Sequence, residues 1–186
     1  MCNLKSMIVL RNKVFCPLDY DHHTEMLEEL GIKDDVDNST VKFVRVEMLP
    51  VDNNIFNHNL DNWKIKIDQP NTPEWFNEFK AEEDCKKELI KFFEQRFYID
   101  CKNIEIYYQR VFIENSSVVA WGKSYVVARE TSSVEAWGNS YVIIPSSRYV
   151  NIKGIHNLAS VKDLSNKPII YVADKNLKTK VWKNKI

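Results

Sequence analysis

From Ser116 onward the apolar positions return every eighth residue, and the chain reads in octads as SSVVAWGK, SYVVARET, SSVEAWGN, SYVIIPSS, RYVNIKGI and HNLASVKD. The third column is Val118, Val126, Val134, Val142, Val150 and Leu158; the fifth is Ala120, Ala128, Ala136, Ile144, Ile152 and Ser160. The first begins Ser116, Ser124, Ser132, Ser140 and continues with Arg148 and His156. A period of eight fits no helix, and inside each octad the apolar residues alternate as they do in a strand. Short strands separated by corners meet this pattern, with Gly122 and Gly138 where a corner needs a permissive backbone. Odd octads share Ser-Ser-Val-x-Ala-Trp-Gly and even octads share Ser-Tyr-Val, so the repeat reads as 16 residues, two octads per coil and two opposed parallel sheets. Stacking coils about 4.8 Å apart sets like over like. The Val and Ala columns then point inward, Trp121 and Trp137 form an outward ladder, and Tyr125 and Tyr141 form another on the opposite face. An antiparallel meander of similar strands is the alternative. Pro145, Lys153 and Val161 replace the Trp/Arg column, as in a capping coil. Asn103–Ile113 reads as an imperfect coil leading in, and Pro168–Val172 with Lys178–Trp182 as a closing hairpin or further irregular coils.

The N-terminal half follows other rules. Ile8–Phe15 reads as a strand, His22–Leu30 as a short helix stopped by Gly31, and Val41–Met48 and Trp63–Ile67 as alternating strands. A long helix is expected from Thr72 as cap and Pro73 as first helical residue to about Phe97. Its apolar residues Phe76, Phe79, Leu89, Phe92 and Phe93 predict packing on two surfaces, and its interleaved Lys and Glu a solvated face of helical ion pairs. The fold class read from the pattern is α+β: an N-terminal α/β region over residues 1–100 with one long helix, then a short β-solenoid with an irregular cap over residues 101–186.

Composition changes this picture little; charge changes it more. The formal net charge is zero, yet residues 19–38 carry eight acids against Lys33, a net −7, while residues 146–186 carry a net +7. Such poles speak of partners rather than of fold. Four widely spaced cysteines (Cys2, Cys16, Cys85, Cys101) and no recognisable leader predict reduced thiols in a cytoplasmic protein. No window reaches the ~18 apolar residues of a membrane span, so no membrane association is expected.

Catalytic patterns are missing from the sequence. It holds no phosphate loop, dinucleotide fingerprint or nucleophile elbow. The repeated corner serines read as a structural ladder, because a nucleophile is a single serine with a base beside it. Asp19-x-Asp21-His22-His23 is the one dense set of ligand types, but adjacent histidines on a helix diverge by about 100°. The expectation is a binder rather than an enzyme, with no catalytic residue, no metal and no cofactor. Outward aromatic columns mark contact surfaces, so Trp121, Trp137, Tyr125, Tyr141 and Arg129 are the candidate partner-binding residues. The alternative for the Tyr face is that the N-terminal half of the chain, or a second copy, covers it. In the basic tail, Lys175, Lys178, Lys180, Trp182 and Lys183 are candidates for tracking a phosphate backbone and stacking bases.

The segment Asn62-Trp63-Lys64-Ile65-Lys66-Ile67-Asp68, then Thr72-Pro73-Glu74-Trp75-Phe76, then Ser-Val-x-Ala-Trp-Gly-Asn-Ser repeats, resembles small proteins encoded by bacteriophages and prophages. The likeness runs from about Leu60 to Tyr149. It implies a cytoplasmic protein of the bacterial host, and an anti-CRISPR-like inhibitor that binds a defence protein or ribonucleoprotein, either the effector nuclease or its guide RNA. A phage assembly protein that self-associates through its solenoid, a homodimer included, and a plain RNA-binding protein are the alternatives.

Overall fold

In the computed structural model, which describes residues 5–145 and 149–164, the chain divides into two compact units, Met1–Gln95 and Arg96–Ile186. The first unit opens on a hairpin. Strand β1 (Lys5–Leu10) turns at Arg11 and Asn12 and returns as β2 (Lys13–Phe15), where one continuous strand was expected. Helix α1 (His23–Glu29) and the single turn α2 (Val36–Ser39) follow. Next come β3 (Phe43–Pro50), a 3-10 turn over Leu60–Asn62, β4 (Trp63–Ile67) and helix α3 (Glu78–Arg96). The strands form one antiparallel sheet in the order β2-β1-β3-β4. Ile8, Met26, Leu27 and Phe43 pack together in its core, and Gly31 ends α1 at φ +65°.

Helix α3 begins later than the Pro73 signal predicts. Trp75 donates its indole N–H to the Val41 carbonyl at 2.6 Å, and Phe76 N donates to Pro73 O, which holds residues 73–76 as a separate turn. Asn77 is the cap instead, its Oδ1 accepting from Lys80 N at 2.9 Å. The buried residues Ala81, Cys85, Leu89, Phe92 and Phe93 fall on one stripe, not on two surfaces, and Phe79 is 75% exposed. The outer face carries the ion pairs Asp84–Lys87 and Glu88–Lys91, as the charge pattern predicts, whereas Glu82–Lys86 is mostly buried and faces β4. Phe93 stacks on His58 and meets Trp63. Lys5 is fully buried, its Nζ donating to Asp21 Oδ1 at 2.6 Å and to Tyr20 O at 2.9 Å, 5.0 Å from the Phe92 ring. Burial pushes the Cys16 and Cys85 thiols up, to about 11 and about 12.

The second unit is a β-solenoid of about four turns over residues 97–163 with a 16-residue spacing. Among the described residues its strands are β5 (Phe97–Ile99), β6 (Ile104–Tyr107), β7 (Arg110–Glu114), β8 (Ser117–Trp121), β9 (Tyr125–Arg129), β10 (Ser133–Ala136), β11 (Tyr141–Ile144), β12 (Asn151–Ile155) and β13 (Ser160–Asp163). Even-numbered strands make one parallel sheet, β12-β10-β8-β6, here termed the Trp sheet; odd-numbered strands make the other, β13-β11-β9-β7-β5, the Tyr sheet. Val134 pairs with Val118 and Val142 with Val126, which is the register the octads demand. The interior holds Val118, Ala120, Val126, Ala128, Val134, Ala136, Val142 and Ile144, all buried. The lead-in coil is present as β6 and β7, and the first strand lies earlier still, at Phe97.

Corners follow the same rule of like over like. Tyr108, Gly122, Gly138 and Asn157 turn one corner with φ of 55°, 71°, 71° and 59°; Asp100, Asn115 and Glu130 turn the other with φ of 55°, 48° and 52°. Glycine serves where backbone stacks on backbone: a Cβ on Gly138 would lie 2.8 Å from the Gly122 carbonyl oxygen. The serines form two buried ladders. Ser116 and Ser132 donate to the Glu114 and Arg129 carbonyls, Ser124 and Ser140 to those of Trp121 and Trp137, and Ser116 N donates onward to Ser132 Oγ at 3.3 Å.

The last coil departs from the octad count. Ser133 pairs with Asn151 and, after a bulge, Ala136 pairs with Ile155, nineteen positions on rather than sixteen. The longer corner and the bulge shift the register, so Val161 pairs with Val142 as an interior residue and not as a member of the Trp/Arg column. Leu158, counted as interior, is 77% exposed for the same reason. Arg148, the segments Pro168–Val172 and Lys178–Trp182 expected as a closing hairpin or further irregular coils, and the candidate residues Lys175, Lys178, Lys180, Trp182 and Lys183 lie outside the described residues. Among the described residues no helix is long and apolar enough to cross a membrane.

Candidate functional site

The pleat of the Trp sheet turns Ile106, Ala120 and Ala136 inward and therefore Tyr107, Trp121 and Trp137 outward. The three rings stack in a column. Tyr107 and Trp121 have centroids 6.3 Å apart at 9°, and Trp121 and Trp137 5.1 Å apart at 19°. His156 completes the column, 3.6 Å from Trp137 at 12°. Octad counting puts His156 in the serine column; the longer last coil moves it onto the Trp column instead. Gly154 makes the space, since a Cβ there would lie 2.5 Å from His156 Nε2.

Polar groups fix this column along its length. Glu135 Oε1 accepts from Trp137 Nε1 at 3.0 Å and lies 3.3 Å from His156 Nε2. Glu105 accepts from the Tyr107 hydroxyl at 2.8 Å, and that bond holds the phenol above its usual range. Trp121 differs from its neighbours: its buried Nε1 has no hydrogen-bond partner among the described residues. Val119 stands beside it at the position where Glu135 stands one coil later. The ladder is thus rigid, half-buried and edge-outward, with Tyr107 more than half exposed at its end.

The Tyr sheet offers a different surface. Tyr125 and Tyr141 lie 5.6 Å apart with their rings tilted by 45°, and Arg110 lies over Tyr125 at 5.5 Å. Arg129 donates to Glu114 Oε2 from Nε at 2.7 Å and again from Nη2, an ion pair along its own ladder. Phe112, Val127 and Ile143 point away from the coil interior and are nonetheless buried. The structure therefore brings Trp121 and Trp137 together on one face and Tyr125, Tyr141 and Arg129 on the other.

The residues missed from sequence are Tyr107 and His156; Glu135 falls on the Trp face by the octad alternation, although its bond to Trp137 is not legible from spacing. Tyr107 was legible in principle, because Glu105 and Tyr107 alternate with Ile104 and Ile106 as Val119 and Trp121 do with Val118 and Ala120. His156 carried no signal, being displaced by the longer coil.

In the first unit, Asp21 is held by Lys5, and His23 lies between Asp68 at 3.3 Å and the Val46 carbonyl at 3.0 Å. Among the described residues no three His, Cys, Asp or Glu side chains gather as metal ligands. Comparison with protein-family models, with curated proteins and with solved structures gives no match to this chain.

Proposed function

We propose that this protein is a phage-derived inhibitor of a bacterial defence system that acts without catalysis, by stoichiometric binding to an effector nuclease or its guide RNA. The observation that carries the binding reading is the column Tyr107–Trp121–Trp137–His156 on the outer face of the Trp sheet. Large rings held rigid by stacking lose little entropy on contact, which is why Trp and Tyr dominate binding hot spots. The resemblance of the segment from about Leu60 to Tyr149 to phage proteins suggests the biological class. The Tyr face ranks second because its middle, Val127 and Ile143, is already buried. The tail residues Lys175, Lys178, Lys180 and Lys183, with the ring of Trp182, remain candidates for an RNA contact.

The test titrates the protein against a host effector ribonucleoprotein and reads cleavage. Inhibition should reach its endpoint near one to one. Trp121→Ser or Trp137→Ser should each weaken it about thirtyfold, whereas Tyr141→Ser should change it little. Full inhibition at strongly sub-stoichiometric doses would mean turnover and would overturn the proposal. A second reading, self-association, is favoured by one observation: among the described residues, β12 and β13 end their parallel sheets with a strand partner on one side only. Open-ended oligomers at micromolar concentration would favour that reading over the inhibitor.

A further inference from the structure

Away from the ladder, the first unit carries an open cleft of about 500 Å³, lined by the β1–β2 turn, the start of β3 and the turn before α3. Its lining combines one half-buried aromatic ring with two exposed cations. Trp75 is half-buried, and its indole N–H is already committed to the Val41 carbonyl at 2.6 Å. The Phe76 ring meets it at 72°, with centroids 6.4 Å apart. The ring is therefore fixed in place, and what it offers a ligand is a flat apolar face rather than a donor. Arg11 and Lys42 line the same cleft, and both are exposed. Neither forms an ion pair or a side-chain hydrogen bond among the described residues. Lys42 feels Asp35 at longer range, but that carboxylate is paired with Lys33 at 3.2 Å and accepts from Asn38 N. Glu74 is the one acid in the lining.

We propose that this cleft binds a nucleotide unit: the base stacks on Trp75, the phosphate is held by Arg11 and Lys42, and Glu74 accepts from a ribose hydroxyl or an exocyclic amine. Two cations against one carboxylate favour an anion. A rigid indole face in the same cleft favours one carrying a flat ring. The cleft is open rather than enclosed, so the unit can be a free nucleotide or one residue of a single strand. This inference does not depend on the solenoid ladder.

The test uses the full chain and a fluorescein-labelled single-stranded RNA 12-mer read by anisotropy, with AMP as competitor and poly-glutamate as a control anion. Binding should show a log–log salt slope of about −1.4, as expected for two phosphate contacts on a single strand. Arg11→Gln with Lys42→Gln, both exposed and unpaired, should weaken it at least tenfold with an unchanged circular dichroism spectrum. Trp75→Leu should weaken it about tenfold, and the salt slope should stay the same. Competition by AMP identifies a free nucleotide as sufficient; oligomer binding that AMP does not displace assigns the site to a strand. Absence of binding, binding undiminished in the charge variant, or equal affinity for poly-glutamate overturns the proposal.

Discussion

The two units solve the burial problem in opposite ways. In the solenoid each interior position is small and is repeated: Val118, Val134 and Ile152 follow one another along one sheet, and Ala120 and Ala136 do the same beside them. In the first unit no position has a copy, and its core relies on large single residues such as Trp63, Phe43, Phe92 and the buried ammonium of Lys5. A repeat spreads its stability over many similar contacts with neighbours above and below. A unique core concentrates it in a few side chains. Single substitutions should therefore cost more in the first unit, unless they strike a backbone position on which the stacking itself depends.

The sharpest test of that contrast is Lys5→Ala. It leaves Asp21, only 13% exposed, without its 2.6 Å partner, and should cost about 3 kcal/mol. Hydrogen exchange would show protection falling across β1, β3 and β4 while the β8 and β10 amides keep theirs. Adding Asp21→Asn should restore part of the loss, since part of the penalty lies in a mostly buried carboxylate that has lost its ion pair. Equal loss of protection in both units would mean that they do not behave as separate bodies.

Gly138→Ala probes the exception. Its φ of +71° and a Cβ 2.8 Å from the Gly122 carbonyl oxygen leave relief only by moving backbone, and two coils share the strain. About 2–3 kcal/mol should be lost, all of it in the solenoid's unfolding transition. Gly31, at φ +65° with open space where a Cβ would go, is the matched control and should cost no more than about 1 kcal/mol on replacement by Ala.

The same contrast decides what could be read from sequence. Parallel stacking gives each column one environment several times over, so Val118, Val126, Val134 and Val142 announced an interior that no single strand could have specified. Trp121 and Trp137 were placed together for that reason. The β4 strand was also legible, because Trp63–Ile67 alternates without exception. Where a single long-range bond decides, local signals failed. Thr72 and Pro73 form a sound helix start, yet the Trp75 bond to Val41, thirty-four residues away, diverts the chain and passes the cap to Asn77. At Arg11 and Asn12 the hairpin turn has neither Gly nor Pro to mark it. The place of His156 depends on a longer corner and a bulge, and period counting cannot see either.

A smaller effect separates the two units by pH. Glu82 joins α3 to β4 inside the first unit. Burial pushes its carboxyl up, but Lys86, the Ile65 amide and Lys64 outweigh this and hold it below the usual carboxylate range. A carboxyl whose folded pKa lies below its unfolded value adds stability above the unfolded pKa and loses it as pH falls through the folded one. Glu82→Gln should therefore cost about 1 kcal/mol at pH 7 and progressively less in acid, vanishing once the wild-type carboxyl is protonated. Urea midpoints measured from pH 7 downward would show the two curves converging. Parallel curves would remove Glu82 as a joint between helix and sheet.

The smallest effect is a gain, and it tests whether the ladder obeys its own repeat. Trp137 has Glu135 as an acceptor two residues earlier; Trp121 has Val119 there, and its buried N–H has no partner among the described residues. An acceptor at 119 should recover about 1 kcal/mol for the hydrogen bond, less a few tenths for replacing a β-branched residue in a strand. Glutamate is the obvious copy but the wrong one, because register sets position 119 directly between Glu105 and Glu135. Like charges on adjacent strands oppose it. Val119→Gln should thus raise the solenoid's melting temperature by a few degrees, and Val119→Glu should raise it less, with high salt narrowing the gap. If glutamate proved the better substitution at low salt, the Trp121 N–H would not be the cause, and the acid that recurs beside Tyr107 and Trp137 would owe its place to something outside the fold.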